Sequence, residues 1–211
     1  MRDEMLEKKI TEYIDSSYFQ AAQNNYQLWE KKDSGRSQLA VSFAHQPHDV
    51  LCIAEYDNKS RCGFFTASHG MQKCVDHVIL IKNQDGKWTG HLIEMKSKVD
   101  NGKWTSIKQK VRASILNIRA LAATLDLPIE ISDFSVYTTY ERIDNRGAAP
   151  ENPVERRATL GKPSFIADEW DQKRIRVDFL KESDDVFSHT DIKMTRTNVD
   201  GLSTLCGELV I

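Results

Sequence analysis

From Cys74 to Lys96 the chain reads CVDHVILIK, NQDGK, WTGHLIEMK: two apolar runs around a short polar turn, the pattern of an antiparallel hairpin in a sheet interior. The unbroken run Val78, Ile79, Leu80, Ile81 predicts a strand covered on both faces, where an unpaired charge is costly. Three charges nonetheless flank it. Asp76 precedes the first run, and Glu94 and Lys96 lie two apart in the second, so their side chains leave one face.

The turn decides whether the three meet. A three-residue loop Gln84-Asp85-Gly86, with Gly86 in the left-handed conformation, pairs Asn83 with Lys87 and puts Asp76 directly opposite Glu94. A two-residue turn would slip the register by one and separate them. Two facing carboxylates repel, and a divalent cation between them removes that cost. His77 and His91 fall on the other face and are not expected to share such a site.

The 211 residues suit one domain, and 40% hydrophobic with 28% charged residues describes an ordinary soluble globular protein. No run approaches the ~18 apolar residues of a membrane span, and MRDEMLEKKITEY lacks the apolar core of a signal peptide. The expectation is a cytoplasmic protein. Cys52, Cys62, Cys74 and Cys206 show neither zinc-site nor disulfide-framework spacing, so they read as reduced thiols.

The net charge of −2 is unevenly spread: nine Lys or Arg face three acids between Lys82 and Arg119, whereas ten acids face six bases from Phe165 onward. Positive charge gathered beside two acids suits a polyanion, although a solvated helix face gives the same count.

Residues 3–29 read as one or two amphipathic helices carrying Glu7 and Glu12, plainly solvated acids. Leu39–Phe43 begins the sheet, and Val50–Tyr56 with Arg61–Ala67 reads as a hairpin; Glu55 is a ligand candidate there, a strand-edge charge being the plainer reading. Ser68-His69-Gly70 is a loop whose histidine is left out of the chemistry. A helix from about Trp104 to Leu125 sets Ile107, Val111, Ile115, Ile118, Ala122 and Leu125 on one stripe and Lys108, Arg112 and Arg119 on a bordering one. That second stripe either solvates the helix flank or lies along a phosphate backbone. Asp133–Ile143 resumes as strand, 146–164 is a loop or hinge, and Lys173–Leu180, Thr190–Thr197 and Leu205–Ile211 are short strands of a C-terminal β extension over 165–211, either a small appendage or a continuation of the main sheet within the same domain.

An acid, an apolar strand, a turn, a second strand ending Glu-x-Lys and a basic helix together resemble the PD-(D/E)XK nuclease superfamily over roughly residues 1–143. The likeness implies a mixed α/β fold of the restriction-endonuclease kind, a central sheet flanked by helices, with a nuclease-like core over 1–145. It implies Asp76 and Glu94 as the two motif acids, Lys96 as the motif lysine, and the Met95 carbonyl as a further metal ligand. Val75 stands where the family often has Pro. Glu7 or Glu12 would match the N-terminal helix acid, and Gln109 the helix Gln, that some members carry behind the site; the Tyr that follows that Gln is missing here.

The expected activity is hydrolysis of phosphodiester bonds in nucleic acid, DNA before RNA, with Mg²⁺ or Mn²⁺ bound to hard carboxylate ligands. Lys108, Arg112 and Arg119 would contact the nucleic acid, and cutting both strands suits a homodimer that pairs through the C-terminal strands. Two rival readings stand beside it. One is a non-catalytic module of the same fold that binds nucleic acid or protein; the other treats Asp76 and Lys96 as a buried ion pair that needs no metal.

Overall fold

The organising hairpin takes the three-residue turn. Asn83 N donates to Lys87 O at 2.8 Å, Gly86 N to Asn83 O at 3.0 Å, and Gly86 has φ 84°, the left-handed region in which glycine meets no Cβ clash. The computed structural model describes residues 4–14, 19–20, 23–32, 35–44, 49–59, 70–143, 169–179 and 184–211. Strands β1 (Asn25–Lys32), β2 (Gly35–Ser42), β3 (Asp49–Ile53), β4 (His77–Lys82) and β5 (Trp88–Met95) are followed by β6 (Lys98–Val99), β7 (Phe134–Tyr140) and β8 (Arg142–Ile143). The C-terminal strands are β9 (Arg174–Val177), β10 (Asp185–Lys193), β11 (Thr195–Val199) and β12 (Leu202–Val210). Among the described residues lie helices α1 (Glu4–Tyr13), α2 (Tyr56–Lys59) and α3 (Asn101–Leu125) and a 3-10 turn at Ile131–Asp133.

The result is a mixed α/β fold built on two large open mixed sheets, with β6 and β8 pairing in a separate two-stranded one. Six strands run in the order β3-β4-β5-β7-β10-β9 and four in the order β1-β2-β12-β11. β4 and β5 are antiparallel with His77 opposite Ile93 and Lys82 opposite Trp88, whereas β5, β7 and β10 are mutually parallel. The parallel step from β5 to β7 needs a crossover, and α3 supplies it.

β4 is buried on both faces because each has its own cover. On one side Val78, Leu80 and Leu92 pack with Leu6 and Ile10 of α1 and with Trp104, Ile107, Val111, Ile115 and Ile118 of α3. On the other, Ile79, Ile81, Ile93 and Met95 meet Tyr26, Leu28, Leu39, Val41, Leu205 and Leu209 of the second sheet. Each such Leu or Ile contributes about 1.5–3 kcal/mol when buried, so the central strand anchors a helix-sheet-sheet sandwich.

Several boundaries depart from the sequence reading. Helical spacing ends at Tyr13, and residues 25–32 form β1, where Tyr26 and Leu28 alternate inward with period two. β3 pairs with β4, and a short helix follows at Tyr56–Lys59; residues 61–67 and His69 lie outside the described residues, as do Cys62 and the 146–164 loop. The C-terminal strands are divided between the sheets: β9 and β10 extend the six-stranded one, β11 and β12 the four-stranded one. Cys52, Cys74 and Cys206 are free thiols. No helix among the described residues is long and apolar enough to cross a membrane.

Candidate functional site

The pairing that sets His77 opposite Ile93 carries Asp76, one residue before β4, to the level of Glu94 on the α3 side of the sheet. Asp76 is fixed there by backbone: Met95 N donates to its Oδ2 at 2.6 Å, and its own carbonyl accepts from Tyr56 N at 2.7 Å. Glu94 is fully buried. Lys96 Nζ lies 2.5 Å from Glu94 Oε1, 3.6 Å from Asp76 Oδ2 and 2.9 Å from the Met95 carbonyl oxygen, to which it donates. The structure therefore brings together Asp76, Glu94, Met95 and Lys96.

A fourth charged group joins them that the sequence reading does not single out. Lys110 reaches down from α3 and donates to Asp76 Oδ1 at 3.2 Å and to Glu94 Oε1 and Oε2 at 2.7 and 3.0 Å. Its signal was a polar stripe at i, i+4, i+7 beside the apolar one. Lys110 holds Asp76, Ser114 Oγ accepts from Val75 N at 2.9 Å, and Asn117 Nδ2 donates to Cys74 Sγ at 3.3 Å. One helix face thus reads the three residues that lead into β4. Glu30 of β1 adds its charge to the field at Lys96.

The two acids divide in character. Burial raises Glu94, as does the charge of Asp76, to about 7, against the pull of Lys96 and Lys110. Burial also works against ionised Asp76, but Lys96, Lys110 and the Met95 N–H outweigh it and hold that carboxyl below its usual range. Burial disfavours the charge on both lysines, yet Glu94 and Asp76 prevail and raise their pKa values. Lys96 is therefore a fixed cation in this state, suited to electrostatic stabilisation rather than to proton abstraction.

No family model, curated protein or solved structure matches this chain. The site has to be read from its own chemistry.

The remaining predicted residues are placed elsewhere. Lys108 donates to Glu169 Oε1 at 2.7 Å, and Trp104 Nε1 to Glu169 Oε2 at the same distance. Arg112 is buried and donates to the Asp178 carbonyl at 3.1 Å. These two expected phosphate contacts instead fasten the segment around β9 to α3; Arg119 stays on the surface. Gln109 packs against Gly70. Glu12 is an exposed partner of Lys8 on α1, at 3.8 Å. His77 accepts from Glu55 N at 3.1 Å and His91 Nδ1 shares a 2.9 Å hydrogen bond with Tyr137 Oη, both away from the acids.

Among the described residues no group of three or more His, Cys, Asp or Glu is arranged to hold a metal. A Mg²⁺ ion keeps several waters and needs only one or two protein carboxylates, so Asp76 and Glu94 fit it as ligands. The Met95 carbonyl, which accepts from Lys96 Nζ at 2.9 Å, is a third oxygen at the same strand end.

Proposed function

We propose that the chain is a divalent-metal-dependent nuclease that hydrolyses phosphodiester bonds, with DNA the first substrate to test. The observation that carries this reading is the convergence of two carboxylates and an ammonium at one end of a doubly covered strand pair. Asp76 and Glu94 would hold the ion, with the Met95 carbonyl beside them. When bound, the ion supplies charge neutralisation on the phosphate and acidifies a bound water. The chain's own contribution is positional. Met95 N fixes the Asp76 carboxylate, the β4–β5 register fixes Glu94 against it, and Lys96 would present positive charge where negative charge grows on the phosphate oxygens. Arg119 remains as a surface contact for the polyanion, and β9 and β11, as outer strands, are the edges on which two copies would pair.

The test is incubation of the purified protein with plasmid, linear duplex, single-stranded DNA and RNA, with Mg²⁺, Mn²⁺ or EDTA. Metal-dependent cleavage lost in Glu94→Gln and Lys96→Met supports the reading; cleavage unchanged in both variants removes these residues from it.

One observation favours a second reading. Two acids and two ammonium groups already neutralise each other, as a non-catalytic binding module with a buried ionic cluster would require. Such a module binds nucleic acid or protein, takes up no metal at Glu94 and turns nothing over.

A further inference from the structure

Every carboxylate oxygen in the site already has a partner. Lys110 engages Asp76 Oδ1 and both oxygens of Glu94; Lys96 also contacts Glu94 Oε1; Met95 N and Lys96 share Asp76 Oδ2. The Lys110 ammonium is the group that bridges the two acids closely from between them, which is the position two carboxylates offer to a hard cation. Resting on the nuclease reading, we propose that Lys110 is a resident counter-ion that holds the cation position between Asp76 and Glu94, and that a divalent ion binds only by displacing it.

Charge and tethering identify Lys110 as the group that yields. With Glu94 ionised, as a metal ligand must be, the four side chains sum to zero, so a divalent ion added beside both ammonium groups would leave a surplus of two positive charges in a buried place, at high cost. The Met95 N–H belongs to the sheet backbone and cannot leave. Lys96 springs from the same strand end as Glu94 and also donates to the Met95 carbonyl. Lys110, by contrast, reaches the acids from α3, a separate element, on four flexible methylenes; the two lysine side chains are equally open to solvent, at 17% and 18%, so the difference between them lies in tethering. Once displaced it stands beside a site that has gained positive charge, and its favourable partner there is an anionic phosphate. The resting site thereby binds free metal only weakly, and the ion and the polyanion reinforce each other's binding.

Calorimetric titration with Mn²⁺ alone, on the full chain, tests this in wild type, Lys110→Met, Lys103→Met and Glu94→Gln. Lys103→Met controls for removing a positive charge from the exposed first turn of α3. The expected result is Mn²⁺ affinity at least about tenfold higher in Lys110→Met, unchanged in Lys103→Met and lost in Glu94→Gln. Binding that depends on Glu94 but is no tighter in Lys110→Met overturns the counter-ion role and leaves the nuclease reading standing. Absence of binding in both wild type and Lys110→Met, or binding indifferent to Glu94, removes both. Wild-type protein carrying ¹⁵N-lysine gives a second readout independent of any variant's folding. On saturation with Mg²⁺ the Lys110 ammonium resonance should lose its ion-paired shift, and a resonance unmoved at saturation overturns the proposal.

Discussion

The backbone N–H of Met95 donates to Asp76 Oδ2 at 2.6 Å, so the acid at the head of β4 is fastened to the residue lying between Glu94 and Lys96 on β5. One hydrogen bond thus fixes the spacing of all three charged groups, and the hairpin turn far from it fixes which residues can take part. That dependence of chemistry on register makes the site sensitive to changes that never touch it.

The turn is the first such place. Gly86→Val puts a β-branched residue at φ 84°, where it is strained by about 1–2 kcal/mol. A lowered urea midpoint with an unchanged slope is expected; full stability would contradict a left-handed Gly86.

Ser114 is the second. Replacing it with Ala removes the acceptor of the buried Val75 N–H, at about 1–3 kcal/mol, and loosens the segment that presents Asp76. Thermal melting should show the loss, and a cleavage assay below the melting temperature should show a rate defect beyond it. A melt and a rate equal to wild type would mean that α3 does not position the acid.

Lys108, Arg112 and Arg119 separate by environment. Arg112→Ala empties a buried, hydrogen-bonded site and should lower stability by about 1–3 kcal/mol. Arg119→Ala should leave melting unchanged and reduce the slope of log K against log salt for duplex binding in Ca²⁺ by about 0.9 if it meets one phosphate. An unchanged slope takes Arg119 out of the proposed nucleic-acid surface.

Three histidines make the fold sensitive to acid. Burial pushes His77, His91 and His189 down from 6.5 to about 4. Between those values the unfolded chain binds protons that the folded chain does not, so stability falls as pH drops through this window, by up to about 1.4 kcal/mol per pH unit for each ring. Above about 6.5 the contribution of these rings is complete. Glu94, raised to about 7 in the fold, gains stability over the same range and offsets about one ring. Urea midpoints at pH 7.5, 6 and 5 should therefore still decline in that order, and a flat series would contradict neutral burial of these rings.

How far the sequence reveals this molecule follows from physics. Val78 to Ile81, the NQDGK turn and the Ile107 to Leu125 stripe were legible because each is a local pattern whose period matches its element. The meeting of Asp76, Glu94 and Lys96 followed from register arithmetic. Lys110 was hidden because a lysine in a helix is ordinarily solvated, and only the crossover that lays α3 over β5 turns it inward. The roles of Lys108 and Arg112 were hidden for the same reason: Glu169 and Asp178 are distant in sequence, and no local period announces the pairing. β1 was misread because its inward pair, Tyr26 and Leu28, is too short to break the helical pattern before it.

The central claim is that Asp76 and Glu94 form a cation site which Lys110 fills at rest. Anomalous diffraction from crystals soaked in Mn²⁺ addresses it most directly. The account predicts a manganese peak coordinated by both carboxylates, with the Lys110 ammonium moved away. A Lys110 still bridging Asp76 and Glu94, with no peak between them at saturating Mn²⁺, would contradict it.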